Sequence, residues 1–132
     1  CTPDIASSDS AIAIAVFDED DGVYAIKIYS AFLVHRHTVP MGGEFPFFVT
    51  LKLVFNRVIL RSVWTFQEYG VPCTTSEYGV IDTESGTVLS GSAFQLPGEK
   101  ETILDVVYGH KLDRLFILSS EKKLYTLKHW AE

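Results

Sequence analysis

The sequence predicts an all-β fold of short antiparallel strands, and three observations carry that expectation. Apolar residues alternate at period two on both sides of an acidic, glycine-bearing turn. Strand-like runs recur about every ten residues, separated by Gly, Pro, Ser and Asp. No segment keeps a helical apolar stripe over about eleven residues with caps at both ends.

The first dozen residues, with Pro3, Ser7, Ser8 and Ser10, read as a loose lead-in. A hairpin is expected over Ala11–Ser30, turning at Asp20-Asp21-Gly22, because Ile12, Ile14 and Val16 alternate before the turn and Tyr24, Ile26 and Ile28 after it. Ala31–Thr38 alternates enough for a strand, and Pro40, Gly42, Gly43 and Pro46 then break the chain. Phe45–Val54 and Val58–Tyr69 are rich in aromatic and β-branched residues and should continue the sheet. Gly70–Ser76 reads as a second break, followed by strand-like Tyr78–Asp82, a turn at Thr83–Gly86, and Thr87–Leu96. After a third break at Pro97–Glu101, a three-stranded meander is expected over Ile103–Trp130, turning near Gly109–Asp113 and Ser120–Lys122. Alternation places Leu104, Val106 and Tyr108 on one face with Leu115 and Ile117, joined by either Leu124 and Thr126 or Tyr125 and Leu127.

Composition narrows the possible uses. At 132 residues and 47% hydrophobic, the chain is long enough for one cored domain and too apolar for wholesale disorder. No apolar run reaches the roughly 20 residues a spanning helix needs, since Lys52, Asn56 and Arg57 interrupt the best candidate. The net charge of -6 argues against binding phosphate backbones, and the lysines at 122, 123 and 128 stand among Glu121 and Glu132. No nucleic-acid partner is therefore expected. Cys1 and Cys73 are too few for a disulfide framework, and the only asparagine, Asn56, lies in no glycosylation sequon. Either the two cysteines form one bridge or both are reduced; reduced thiols and an intracellular setting are the expectation, with Cys1 as a lipid-bearing terminal cysteine the competing reading. The chain opens on cysteine rather than methionine, which fits a processed product or part of a longer chain.

The last fifty or so residues resemble a WD-repeat-type β-propeller blade. Tyr108, Ser119-Ser120, Glu121-Lys122 and Leu124 to Leu127 occupy the places of a strand-ending aromatic, a small-residue strand end, a charged turn and the next strand. Tyr78 to Leu89 resembles the blade's outer strand with its acidic, glycine-bearing turn. The marker dipeptides depart from the pattern: Gly109-His110 stands elsewhere in the blade and Trp130 is followed by alanine. A blade takes about 40–45 residues, so this length would make about three blades and only part of a propeller. The alternative fold is a small self-contained β-barrel or sandwich.

Four groups of residues bear on chemistry. On a regular strand His35 and His37 would point to one face, and Glu44 could add an oxygen ligand, an arrangement resembling the first metal motif of cupins. Glu44 comes later than that motif allows, so a plain strand end is the expectation and no metal is assigned. Asp18-Glu19-Asp20-Asp21 lacks the alternation and spacing of a calcium loop and reads as a solvated turn. Cys73, or a serine beside His110 or His129, could be a nucleophile, yet no nucleophile elbow, phosphate loop or dinucleotide fingerprint accompanies them. Aromatic and arginine residues near strand ends, Trp64, Tyr69, Arg114 and Trp130, are the candidate anchors for a protein partner.

The expected function is accordingly a non-catalytic protein-interaction module, without cofactor, whose partners are other subunits of a larger assembly. A small β-barrel enclosing an apolar ligand is the alternative, and a cupin-type metal enzyme a lesser one.

Overall fold

The computed structural model describes residues 4–41, 48–89, 96–97 and 101–132, with the backbone alone at 48, 64–66 and 74–77. Strands account for 63% of it and helices for none. The all-β, antiparallel architecture expected from the alternation is what forms.

Among the described residues ten strands make three consecutive meanders. The first sheet holds β1 (Asp4–Ser7), β2 (Ala11–Asp18), β3 (Val23–Ser30) and β4 (His35–Pro40) in chain order. The second holds β5 (Phe48–Val54), β6 (Arg57–Glu68) and β7 (Val71–Asp82), and the third β8 (Ile103–Gly109), β9 (Arg114–Ser119) and β10 (Leu124–Leu127). None closes into a barrel. The barrel alternative is thus not realised; the sheets stack face to face instead.

The β2–β3 hairpin has the expected register, from Ala11 opposite Ser30 to Asp18 opposite Val23. Its turn is closed by the Gly22 N–H donating to the Asp18 carbonyl (2.8 Å), with Gly22 at φ +69° where a side chain would be strained. The Asp20 N–H donates to the Asp18 carboxylate (3.1 Å), so one acid of the run builds the turn.

Two expectations need correction. The lead-in is not loose: Asp4–Ser7 pairs along β2, and the Asp4 carboxylate accepts the Leu51 N–H at 2.7 Å. Nor is Gly70–Ser76 a break. Tyr69 and Gly70, at φ 52° and 77°, turn the chain in two residues, and β7 begins at Val71. Pro72 is tolerated because it pairs with Gln67 at the strand's first turn, where a ladder donor is least needed.

Alternation along the middle sheet builds both cores. Val49, Leu51, Val58 and Ile81 face the first sheet and pack on Ala13, Ala15, Ile26 and Ile28. Ile59 and Val80, one residue away, face the third sheet and pack on Val106, Leu115, Ile117 and Trp130. Removing these surfaces from water, at roughly 25 cal/mol per Å² of apolar area, is what holds the stack together.

The third sheet turns where expected but carries a bulge. Val106 and Tyr108 stand opposite Ile117 and Leu115, whereas the register shifts between Ile103 and Asp105. The extra residue is Leu104, which is left half-exposed while Ile103 takes the inward place. On β10 the inward pair is Tyr125 and Leu127, opposite Ile117 and Leu115.

Candidate functional site

The strand directions put the turns of all three sheets at two ends of the stack. At one end lie residues 8–10, 31–34, 55–56, 83–86 and 110–113. Side-chain contacts tie several of them together: the Ser8 hydroxyl donates to the Phe55 carbonyl, and the Phe55 ring meets those of Tyr108 and His110 edge-on. His37 Nε2 hydrogen-bonds the Glu84 carbonyl at 2.7 Å.

This end is apolar at its tips. Phe32, Leu33 and Val34 are 91%, 72% and 61% exposed, Phe55 64% and Leu112 61%. The 31–34 turn is held in one shape although its side chains touch little. The Ser30 hydroxyl accepts the Phe32 and Val34 N–H groups (both 3.2 Å), the Ser30 carbonyl accepts the Leu33 N–H, and the Ser30 N–H returns a bond to Val34. Leu33 adopts φ 67°, a conformation bulky residues rarely take. At the opposite end stand the acidic turn Glu19-Asp20-Asp21, the Tyr69-Gly70 turn and Glu121 to Lys123.

A second feature lies between the first two sheets. A cleft of about 270 Å³ is walled by Ile26, Val39 and Met41 on one side and Leu60, Gly79 and Ile81 on the other, with Val88 at its rim. Among the described residues lining it none is charged. Register places Ser62 on the cleft side of β6, two residues from Leu60. Tyr78 contributes to the lining, but the same alternation sets it on the other face with Ile59 and Val80, where burial pushes its phenol pKa well up.

The residues singled out from the sequence fall in different places. Tyr69 is fully exposed at the end remote from Phe32. Arg114 opens β9, half-buried, opposite Gly109. Trp130, a candidate partner anchor, is 3% exposed and lies 5.2 Å from the Tyr108 ring, packed in the second core. Trp64 lies in β6, with its side chain outside the described residues, and Glu44 and Cys1 also lie outside them.

His35 and His37 are not brought to one face. Tyr29 pairs His35 and Ile28 pairs His37, leaving Arg36 as a bulge residue. Since Tyr29 and Ile28 point to opposite faces, so do the two histidines, and they cannot share an ion. His35 instead packs edge-on against Tyr29 and bonds Thr38 Oγ1 (2.8 Å), while His37 reaches Glu84. Among the described residues there is no group of three metal-ligating side chains.

The nucleophile candidates fall in three separate places. Cys73 is free and half-buried, its thiol 3.6 Å from the Val71 carbonyl and 4.0 Å from a Glu68 carboxylate oxygen. His110 sits against Tyr108 and Phe55, and His129 pairs with Glu132 at 3.0 Å.

Sequence reading missed Phe32–Val34, Phe55, Leu112 and Gly79. Period-two alternation treats an apolar tip as strand, which is how Ala31–Thr38 was read. Signals did exist for two of them: a glycine inside a strand run at 79, and a leucine amid the polar turn 109–113. No helix is long and apolar enough to cross a membrane among the described residues. Comparison with known families, with curated proteins and with solved structures gave no match.

Proposed function

We propose that this chain is a non-catalytic protein-interaction module, a run of stacked β-meanders that works inside a larger assembly. One observation carries the reading: five large apolar side chains, Phe32, Leu33, Val34, Phe55 and Leu112, stand exposed on turns from all three sheets at one end. An apolar group of this kind, contributed by several elements, is what a protein partner covers. The preset 31–34 turn supports docking, because a tip already ordered loses little freedom on binding.

The outer face of the third sheet fits an assembly role too. The middle sheet packs Val58 and Ile81 on one face and Ile59 and Val80 on the other, but Leu104, Val107, Leu118 and Leu124 of the third remain 41–65% exposed. A further meander sheet packed there would repeat the contact the second and third sheets already make. Blades of a WD-repeat-like propeller stack in this manner, and that architecture is part of the proposal.

The test is site-specific photo-crosslinking in cells making the full protein, with p-benzoylphenylalanine at position 32, at 112 and, as control, at 20. Positions 32 and 112 should give the same protein adduct, lost on Leu33→Asp, and position 20 none. Adducts absent from both tips, or equal from all three positions, would overturn the reading.

A further inference from the structure

We propose that the cleft between the first and second sheets is a binding site for a small, uncharged, apolar molecule, with Gly79 as its floor. This goes beyond partner docking, since the cleft is separate from the exposed turns.

Glycine is a poor choice inside a strand unless something must come close to the backbone. The neighbouring strand does not require it here: among the described residues a Cβ built on Gly79 meets nothing within 4 Å, and its φ lies outside the left-handed region. A larger side chain would suit the strand, and its Cβ would find space. The space is instead left open above Gly79, between fully buried Ile26 and Ile81. Interiors are normally close-packed, so an open space walled by core side chains is the exception.

The lining selects the occupant. Ile26, Val39, Met41 and Leu60 offer no hydrogen bonds, so water held among them would be poorly bound, and an apolar guest replaces it favourably. With no charge among the described lining residues, an ionised guest would lose hydration without compensation. Benzene fills a cavity of about 150 Å³, and the cleft's 270 Å³ has room for a substituted ring or a branched chain of similar bulk.

The experiment is a heteronuclear NMR titration of the whole chain with p-cresol, with benzoate as the charged counterpart of similar size. Saturable shifts at Gly79, Val39 and Val88 are expected with p-cresol and not with benzoate. Gly79→Val should keep the strand content and lose the shifts. Val88→Trp tests the same point independently, because Val88 is 61% exposed at the rim and the change covers the opening without entering the core. No saturable shift in the wild-type chain would mean that water fills the cleft. Shifts that survive both substitutions, or equal binding of benzoate, would each overturn the proposal.

Discussion

The two seams of the stack are made of similar residue types and are filled differently. Between the first and second sheets, Ala13 and Ala15 stand across from Leu51 and Val58, and the cleft above Gly79 stays open. Between the second and third, Ile59 and Val80 meet Leu115, Ile117 and the Trp130 indole, with Tyr108, Tyr125 and Leu127 packed around them. The Tyr125 hydroxyl adds bonds to both oxygens of the buried Glu101 carboxylate (3.2 and 3.0 Å). The alanines and Gly79 leave room on one seam, and an indole and two phenol rings pack the other. Both seams hold the stack, and the first also has space for a guest.

Substitution of charge should separate the filled seam from the exposed turns most sharply. Ile117 has no exposed surface, so Ile117→Asp places a carboxylate in an apolar layer and should cost about 4 kcal/mol or more. That is a large share of the stability of a typical domain, about 5–15 kcal/mol. The same change at 72%-exposed Leu33 should stay within about 0.5 kcal/mol. Urea-unfolding midpoints of the two variants provide the comparison. Similar losses would mean that the 31–34 turn is packed rather than presented.

The seam residues were largely legible in the sequence, because burial follows alternation. Val106, Tyr108, Leu115 and Ile117 were assigned to one face correctly. What failed did so at bulges: one extra residue at Leu104 and one at Arg36 shift the parity of everything beyond them. Alternation counts residues and cannot see which one is skipped. Trp130 could not be placed from the sequence for another reason: an aromatic beyond the last strand has no alternation to place it, and its contact with Tyr108 spans the third sheet. The cleft was illegible as well, since it depends on which small residues the stacking brings together.

A smaller effect tests how the open seam is bordered. Gly86 sits at φ +72°, and a Cβ there would lie 2.7 Å from Cγ of His37, the residue that bridges β4 to the 83–86 turn. Gly86→Ala should cost about 1–3 kcal/mol from backbone strain and that clash together. Gly22→Ala has nearly the same φ, +69°, and nothing within 4 Å, so it should cost only the strain, about 1 kcal/mol. Thermal unfolding of both proteins isolates the His37 contact as the difference. Equal losses would show that the ring moves aside freely.

The smallest effect concerns an ion pair that spans the filled seam. Lys52 Nζ lies 3.2 Å from Asp105 Oδ1 and donates to the Val106 carbonyl at 2.6 Å, tying β5 to β8. Burial pulls the Asp105 pKa up, but the Lys52 hydrogen bond, the Val106 N–H and the nearby charges of Lys52 and Arg61 outweigh it and hold the carboxyl below its ordinary value. A folded pKa below the unfolded one contributes stability that is complete above the unfolded value of 3.8 and lost as pH falls through the folded value. Both side chains are about half exposed, so the contribution is screened and should stay under about 1 kcal/mol. Asp105→Asn should therefore lower the urea midpoint slightly at neutral pH. The gap from wild type should narrow on acidification to about pH 2, and also in about 1 M salt. A gap that widened on acidification would reverse the sign assigned to Asp105. A loss as large as that of Ile117→Asp would mean that the pair, rather than the apolar layer behind it, holds the seam shut.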